Sequence, residues 1–143
     1  MIRTVMDTNL LVVALKNKKG YPARLLEAWM NDEFELIASP DVLSEYERVL
    51  FSPPVQKNSS WNLSEVGELV EALKDATIGV PGALPLQVIA QDPTDDKFFI
   101  AAVEGQADYI VTKEQRWKKL KTFRGIRIVS PSKFYEILKK RKP

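Results

Sequence analysis

The chain has no histidine and no cysteine. Without cysteine there can be no disulfide, thiol nucleophile or thiolate zinc site. Without histidine there is no imidazole base, no Ser-His-Asp triad and no imidazole-ligated metal. No apolar run approaches the roughly 20 residues that span a bilayer. The chain opens directly on a strand-like segment, with no signal peptide to read. These absences lead to the expectation of a cytoplasmic protein with no membrane association. Six glycines are present, and those at Gly79, Gly82, Gly105 and Gly125 read as turns, because no phosphate-binding glycine motif surrounds them. Any chemistry must come from carboxylates, hydroxyls, amides and cations.

At 143 residues, with 45% hydrophobic and 28% charged residues, the chain fits one domain spanning 1–143 with a core of its own. The net charge of +2 conceals an asymmetry. Residues 113–143 hold twelve Lys/Arg and two acids, whereas residues 1–112 hold nine Lys/Arg and seventeen acids. An acidic body with a basic last quarter matches a metal site beside a phosphate-binding surface. Lys113, Arg116, Lys118, Lys119 and Lys121 are the cations expected to hold RNA or DNA. The terminal Lys139–Lys142 run is equally a solvated helix end that complements its dipole.

Apolar periodicity alternates strand and helix. Strands are expected at Arg3–Met6, Glu35–Ala38, Tyr109–Val111 and Ile126–Val129, with a broken strand region at Ile78–Val80 and Leu86–Ile89. Helices are expected at Leu10–Lys16, from Pro22 to Met30, from Pro40 (capped by Ser39) to Leu50, to Asp75 after Asn62 or Ser64, from Asp92 to Glu104, and from Pro131 onward. The stretch from Ser52 to Ser60 reads as loop, and a basic helical turn follows Val111. Trp29 and Trp117 fit apolar helix faces, while Trp61 sits in a polar segment and reads as an exposed partner contact. The pattern predicts an α/β fold, a three-layer sandwich around a mainly parallel sheet.

Four acids fall where strands hand over to helices: Asp7, Glu45, Asp96 and Glu114. Ligands of open parallel sheets gather outside the carboxyl ends of the strands. Carboxylates crowded there repel one another unless a divalent cation intervenes, and oxygen-only ligation suits Mg²⁺ or Mn²⁺. Each acid also has a plainer reading. Asp7 can cap the next helix, and Glu114 can sit in a first helical turn. Glu45 and Glu47 both flank the Val42-Leu43-Tyr46-Val49-Leu50 stripe, and periodicity does not choose between them. Asp96 falls within the buried stripe of Phe99, Ile100 and Val103, a costly place for an unpaired charge. Asp95 falls at N3 of a helix capped by Asp92 and reads as a capping-box residue.

Four segments, in order and spanning essentially the whole chain, resemble the PIN-domain family of compact α/β ribonucleases, in particular its toxin–antitoxin subgroup. They are Val5-Met6-Asp7-Thr8-Asn9-Leu10-Leu11, Ala38-Ser39-Pro40-Asp41-Val42-Leu43-Ser44-Glu45-Tyr46, Asp92 through Ala102, and Ala107-Asp108-Tyr109-Ile110-Val111-Thr112; the Gly125–Ile137 end is similar to the family's last strand and helix. The resemblance puts the family's acids on Asp7, Glu45 and Asp96. Its fourth position, usually Asp, falls on Glu114, with Thr112 and Asn9 as polar neighbours. It implies a Mg²⁺- or Mn²⁺-dependent endoribonuclease acting on RNA, with a cognate antitoxin protein and a homodimer as partners. The longer Glu114 keeps open an alternative, a catalytically weak or inert PIN-like module that binds RNA or a partner. Dehalogenase-like phosphatases need Asp-x-Asp after the first strand, where this chain has Asn9, and receiver domains need adjacent early acids that are missing.

Overall fold

A computed structural model describes residues 1–88 and 92–141. The elements run β1 (Arg3–Met6), α1 (Thr8–Lys16), α2 (Tyr21–Met30), β2 (Glu35–Ala38), α3 (Pro40–Leu50), α4 (Pro53–Asn58), α5 (Leu63–Ala76), β3 (Ile78–Gly79), a 3₁₀ turn (Pro93–Asp95), α6 (Asp96–Glu104), β4 (Tyr109–Val111), α7 (Gln115–Lys118), β5 (Thr122–Phe123), β6 (Ile126–Val129) and α8 (Pro131–Arg141). The sheet order is β3-β2-β1-β4-β6-β5, parallel throughout except for the antiparallel β5–β6 pair. Helices cover both faces, giving the expected α/β sandwich. β1 lies inside the sheet, and its Val5 and Met6 are buried, as an apolar run between two neighbours requires.

Alternation along the strands sorts the two faces. Tyr109 packs on Phe134 of α8, which also meets Phe34 edge-on at 5.1 Å. α6 packs on β1, β2 and β4. Phe98 and Phe99 of α6 close on Trp117 at 5.4 and 5.1 Å, so the basic segment after β4 is anchored by an aromatic cluster. Tyr46 of α3 donates its hydroxyl to the Met6 carbonyl at 2.5 Å, fixing α3 to the end of β1. Trp29 and Trp117 are buried, as expected.

Four expectations change. The Ser52–Ser60 stretch contains α4: Pro53 and Pro54 fill a first turn, where a missing N–H costs nothing, and Val55 supplies a buried anchor. Trp61 is half-buried and packed on the core rather than exposed, because its neighbour Ser60 is tied to the Leu15 carbonyl. The expected strand at Leu86–Ile89 does not form over residues 86–88, and Ile89 lies outside the described residues. Pro81 and Pro85 lack donors, and the amides of Gly82, Ala83 and Leu84 go to the Glu104 carboxylate at 2.6, 2.9 and 3.2 Å instead of to a ladder. β5 is additional. Its two-residue turn, Arg124-Gly125, has φ of 51° and 81°, the left-handed pair that a tight hairpin needs. Asn62 rather than Ser64 caps α5, in a reciprocal box with Glu65.

Among the glycines, the least room for a side chain is at Gly105, which follows the last residue of α6. A Cβ there would lie 2.7 Å from two carbons of buried Ile37. Gly105→Ala is therefore expected to cost about 1–3 kcal/mol through overpacking, read as a lower urea midpoint at unchanged slope.

Candidate functional site

Asp7 sits at the carboxyl end of β1 with extended backbone and caps α1, accepting from the Asn9 amide at 3.3 Å. Its other oxygen accepts from the Thr112 hydroxyl at 2.8 Å. Thr112 is fully buried just past β4, and its hydroxyl oxygen also accepts from the Glu114 amide at 2.9 Å. The capping reading of Asp7 is therefore correct, and capping points the carboxylate outward past the sheet. Glu114 in turn caps α7 and pairs with Arg116 Nε at 3.3 Å. Asp7, Asn9, Asp92, Asp95, Lys113, Glu114, Arg116 and Trp117 line a cleft of about 300 Å³.

Asp95 departs from its expected role. It is the last residue of the 3₁₀ turn, directly before α6, and makes no side-chain cap hydrogen bond. The turn breaks the N3 register that the capping box assumed. Its carboxylate instead accepts from the Trp117 indole N–H at 3.2 Å and from Arg116 at 3.4 Å, facing the same cleft as Asp7. Asp92 caps the turn as expected, through Thr94.

Glu45 and Asp96 line an adjoining groove of about 640 Å³ between α3, residues 82–87 and α6. Glu45 accepts from the Thr8 hydroxyl and pairs with Lys97 Nζ at 2.6 Å. Glu47 instead pairs with Lys74 at 3.1 Å, away from the cleft. Asp96 is 6% exposed and accepts from the Val88 amide at 3.0 Å; the buried face of α6 is Phe98, Phe99, Ala101 and Ala102, whereas Ile100 and Val103 of the expected stripe are only partly buried. Asp7 and Glu114 thus share one cleft and Glu45 and Asp96 the next, with Asp95 bordering the first. Among the cations, Arg116 is turned into the acids, whereas Lys113, Lys118, Lys119 and Lys121 make no ion pair among the described residues.

Burial raises the Asp7 carboxyl above the ordinary aspartate range. Hydrogen bonds from Thr112 and Asn9 oppose the shift, and the charges of Asp95 and Glu45 add to it. Asp95 is raised too, first by burial, with the Trp117 bond opposing and Asp92 adding. A crowded all-oxygen donor set of this kind fits a hard divalent cation chemically. In the present arrangement no group of three or more acids among the described residues is drawn together as a metal cage. Lys97 and Arg116 stand among the carboxylates instead. Sequence reasoning missed Thr8, Lys97, Asp95 and Trp117. Only the Asp-Asp pair at 95–96 gave a local signal, since the Glu45–Lys97 pairing spans 52 positions.

The family model of the PIN domain matches residues 3–116, and the chain belongs to the PIN-domain family, whose members are generally nucleases that use divalent metals. An uncharacterized protein of Methanocaldococcus jannaschii is 24% identical over 147 aligned positions, covering 97% of this chain and 93% of that protein. Among solved structures, the VapBC2 complex of Rickettsia felis bound to a DNA fragment from its promoter contains a chain of the same fold. Its TM-score is 0.54 at 14% identity, over 90% of this chain and 98% of that one. Among the described residues no helix is long and apolar enough to cross a membrane.

A carboxyl raised above its unfolded value contributes stability that is fully present below the unfolded pKa and lost as pH rises through the folded one. For Asp7 that loss falls above the ordinary aspartate range. In metal-free buffer, Asp7→Asn is expected to unfold at a higher temperature than wild type at neutral pH. The difference should vanish in acid, as thermal melts across pH would show.

Proposed function

We propose that the chain is a metal-dependent endoribonuclease that hydrolyses RNA phosphodiester bonds. The observation that carries this reading is the half-buried Asp7 carboxylate, crowded by acids at the carboxyl end of the sheet in a nuclease family. Asp7, Asp96, Glu45 and Glu114 would hold Mg²⁺ or Mn²⁺, with Asp95 facing the same cleft. A bound divalent ion supplies a hydroxide-like water at neutral pH and screens phosphate charge. The chain's own groups orient the rest. The Thr112 hydroxyl fixes the rotamer of Asp7, and Thr8 and Lys97 fix Glu45, which would orient or deprotonate the attacking water. Lys97, released from Glu45, would meet a phosphate oxygen. Lys113, Arg116, Lys118, Lys119 and Lys121 would hold the RNA backbone with little sequence preference.

In this reading residues 1–143 act as one PIN-like unit in the cytoplasm, as the toxin of a toxin–antitoxin pair, with a cognate antitoxin covering the acid cleft and a homodimer as the working form. The solved VapBC2 complex supports an antitoxin partner by analogy of fold. A second reading, an inert RNA- or partner-binding module, draws on a separate observation: Lys97 and Arg116 already neutralise Glu45, Asp95 and Glu114.

The deciding experiment compares labelled single-stranded RNA cleavage by wild type, Asp7→Asn and Asp96→Asn, with Mn²⁺, Mg²⁺ or EDTA, alongside thermal melts with and without metal. Metal-dependent cleavage lost in both variants is expected. Mn²⁺ should also raise the wild-type melting temperature and not that of Asp7→Asn. A folded wild type with neither cleavage nor a metal-dependent melting shift selects the inert module, and undiminished cleavage by either variant removes its residue from the site.

A further inference from the structure

Residues 113–127 carry seven cations and one acid. Arg116 is engaged in the acid cleft, but Lys113, Lys118, Lys119, Lys121, Arg124 and Arg127 form no ion pair among the described residues. Their placement has a direction. β4 and β6 run parallel and β5 returns antiparallel at the sheet's outer edge. Lys113 follows the carboxyl end of β4, on the acid side. Lys121 lies level with Ile128, whose amide donates to its carbonyl at 2.9 Å. Arg127 pairs in register with Thr122, and Arg124 occupies the turn at the opposite end of the sheet. The cations therefore run from the acid cleft down the outer hairpin.

We propose that this β5–β6 edge, through Lys121, Arg124 and Arg127, carries the backbone of a single-stranded RNA away from the acid cleft. The inference rests on the nuclease reading above and gives its substrate a path. The hairpin is two strands wide, about 5 Å, one backbone across. A duplex RNA would present two phosphate rows across a wide, shallow minor groove, which a single hairpin does not span. The Arg124 guanidinium lies 5.7 Å from the Phe123 ring centroid and that of Arg127 lies 5.6 Å from Tyr109. Phe123 packs on Phe99 of α6 and Tyr109 on Phe134 of α8, so the two guanidiniums flank the hairpin from its two faces, and each keeps its N–H edge for phosphate. Charge on an edge strand also discourages aggregation, but β5 offers only two residues of edge to guard. Lys121 and Arg124 moreover hold left-handed backbone, with φ of 61° and 51°, where glycine or asparagine is easier to place.

The test is metal-free binding of the full chain, with EDTA present, to labelled single-stranded RNAs of about 12 and about 4 nucleotides. Salt is set near 0.1 M, where screening acts over about 10 Å. The variant is Arg124→Gly/Arg127→Gln. Glycine relieves the left-handed position, so Arg124→Gly alone should melt at or above wild type and the loss of charge is read in a folded protein. The double variant is expected to bind the longer RNA about tenfold more weakly, with a salt slope shallower by about 1 to 1.5. The shorter RNA should bind within about twofold of wild type. Unchanged affinity for the longer RNA, or equal loss for both lengths, overturns the path. Length-dependent loss together with no metal-dependent cleavage sinks the nuclease reading and leaves the path standing. Cleavage without length dependence does the reverse.

Discussion

Mutual repulsion among carboxylates at the carboxyl end of the sheet governs how the surrounding elements are charged and tied. Asp7 is the centre of it. Parallel strands bring β1, β2 and β4 to a common edge, and an acid ending β1 has the charges of Asp95 and Glu45 for company. The chain spends hydrogen bonds and cations to hold that arrangement. Thr112 and the Asn9 amide take the oxygens of Asp7, Thr8 and Lys97 take Glu45, and Trp117 and Arg116 take Asp95. The partners come from α1, α6, α7 and the residue after β4, so these bonds also tie the end of β4 to β1, α6 to α3 and α7 to the start of α6. Like charges held together at one edge of a sheet are a local loss of stability, which Lys97 and Arg116 partly offset.

The same helix caps that build the fold build the site. Asp7 caps α1 and Glu114 caps α7, so the plain reading of both acids holds, and the caps leave both carboxylates lining one cleft. A carboxylate that caps a helix following a parallel strand lies outside the sheet's carboxyl end by construction.

Much of the fold was legible because its signals are local. β1, β2, β4 and β6 are apolar runs with the expected bounds, and Ser39-Pro40 and Asn62 with Glu65 mark helix starts by their own chemistry. What escaped was short or non-local. β5 is two residues long, too brief for any period, and α4 was hidden by prolines that also start helices. Helical periodicity turned Asp96 inward, where it lies, but from a stripe of which only Phe99 is fully buried. It misassigned Asp95, because a 3₁₀ turn before α6 shifts the register by which N3 was counted. The Lys97–Glu45 and Trp117–Asp95 pairs join positions far apart in sequence, so no window of residues contains them.

Residues 80–88 owe their shape to α6. Glu104 holds the amides of Gly82, Ala83 and Leu84, and Asp96 holds that of Val88. The two carboxylates stand eight residues apart on one helix, about 12 Å along its axis. This span of chain has almost no ladder of its own, and it forms the outer wall of the groove beside the acid cleft. The helix therefore serves as a ruler. It sets how far the wall extends from the chemistry, and a sheet that twisted or breathed would carry groove and cleft together as one measured piece.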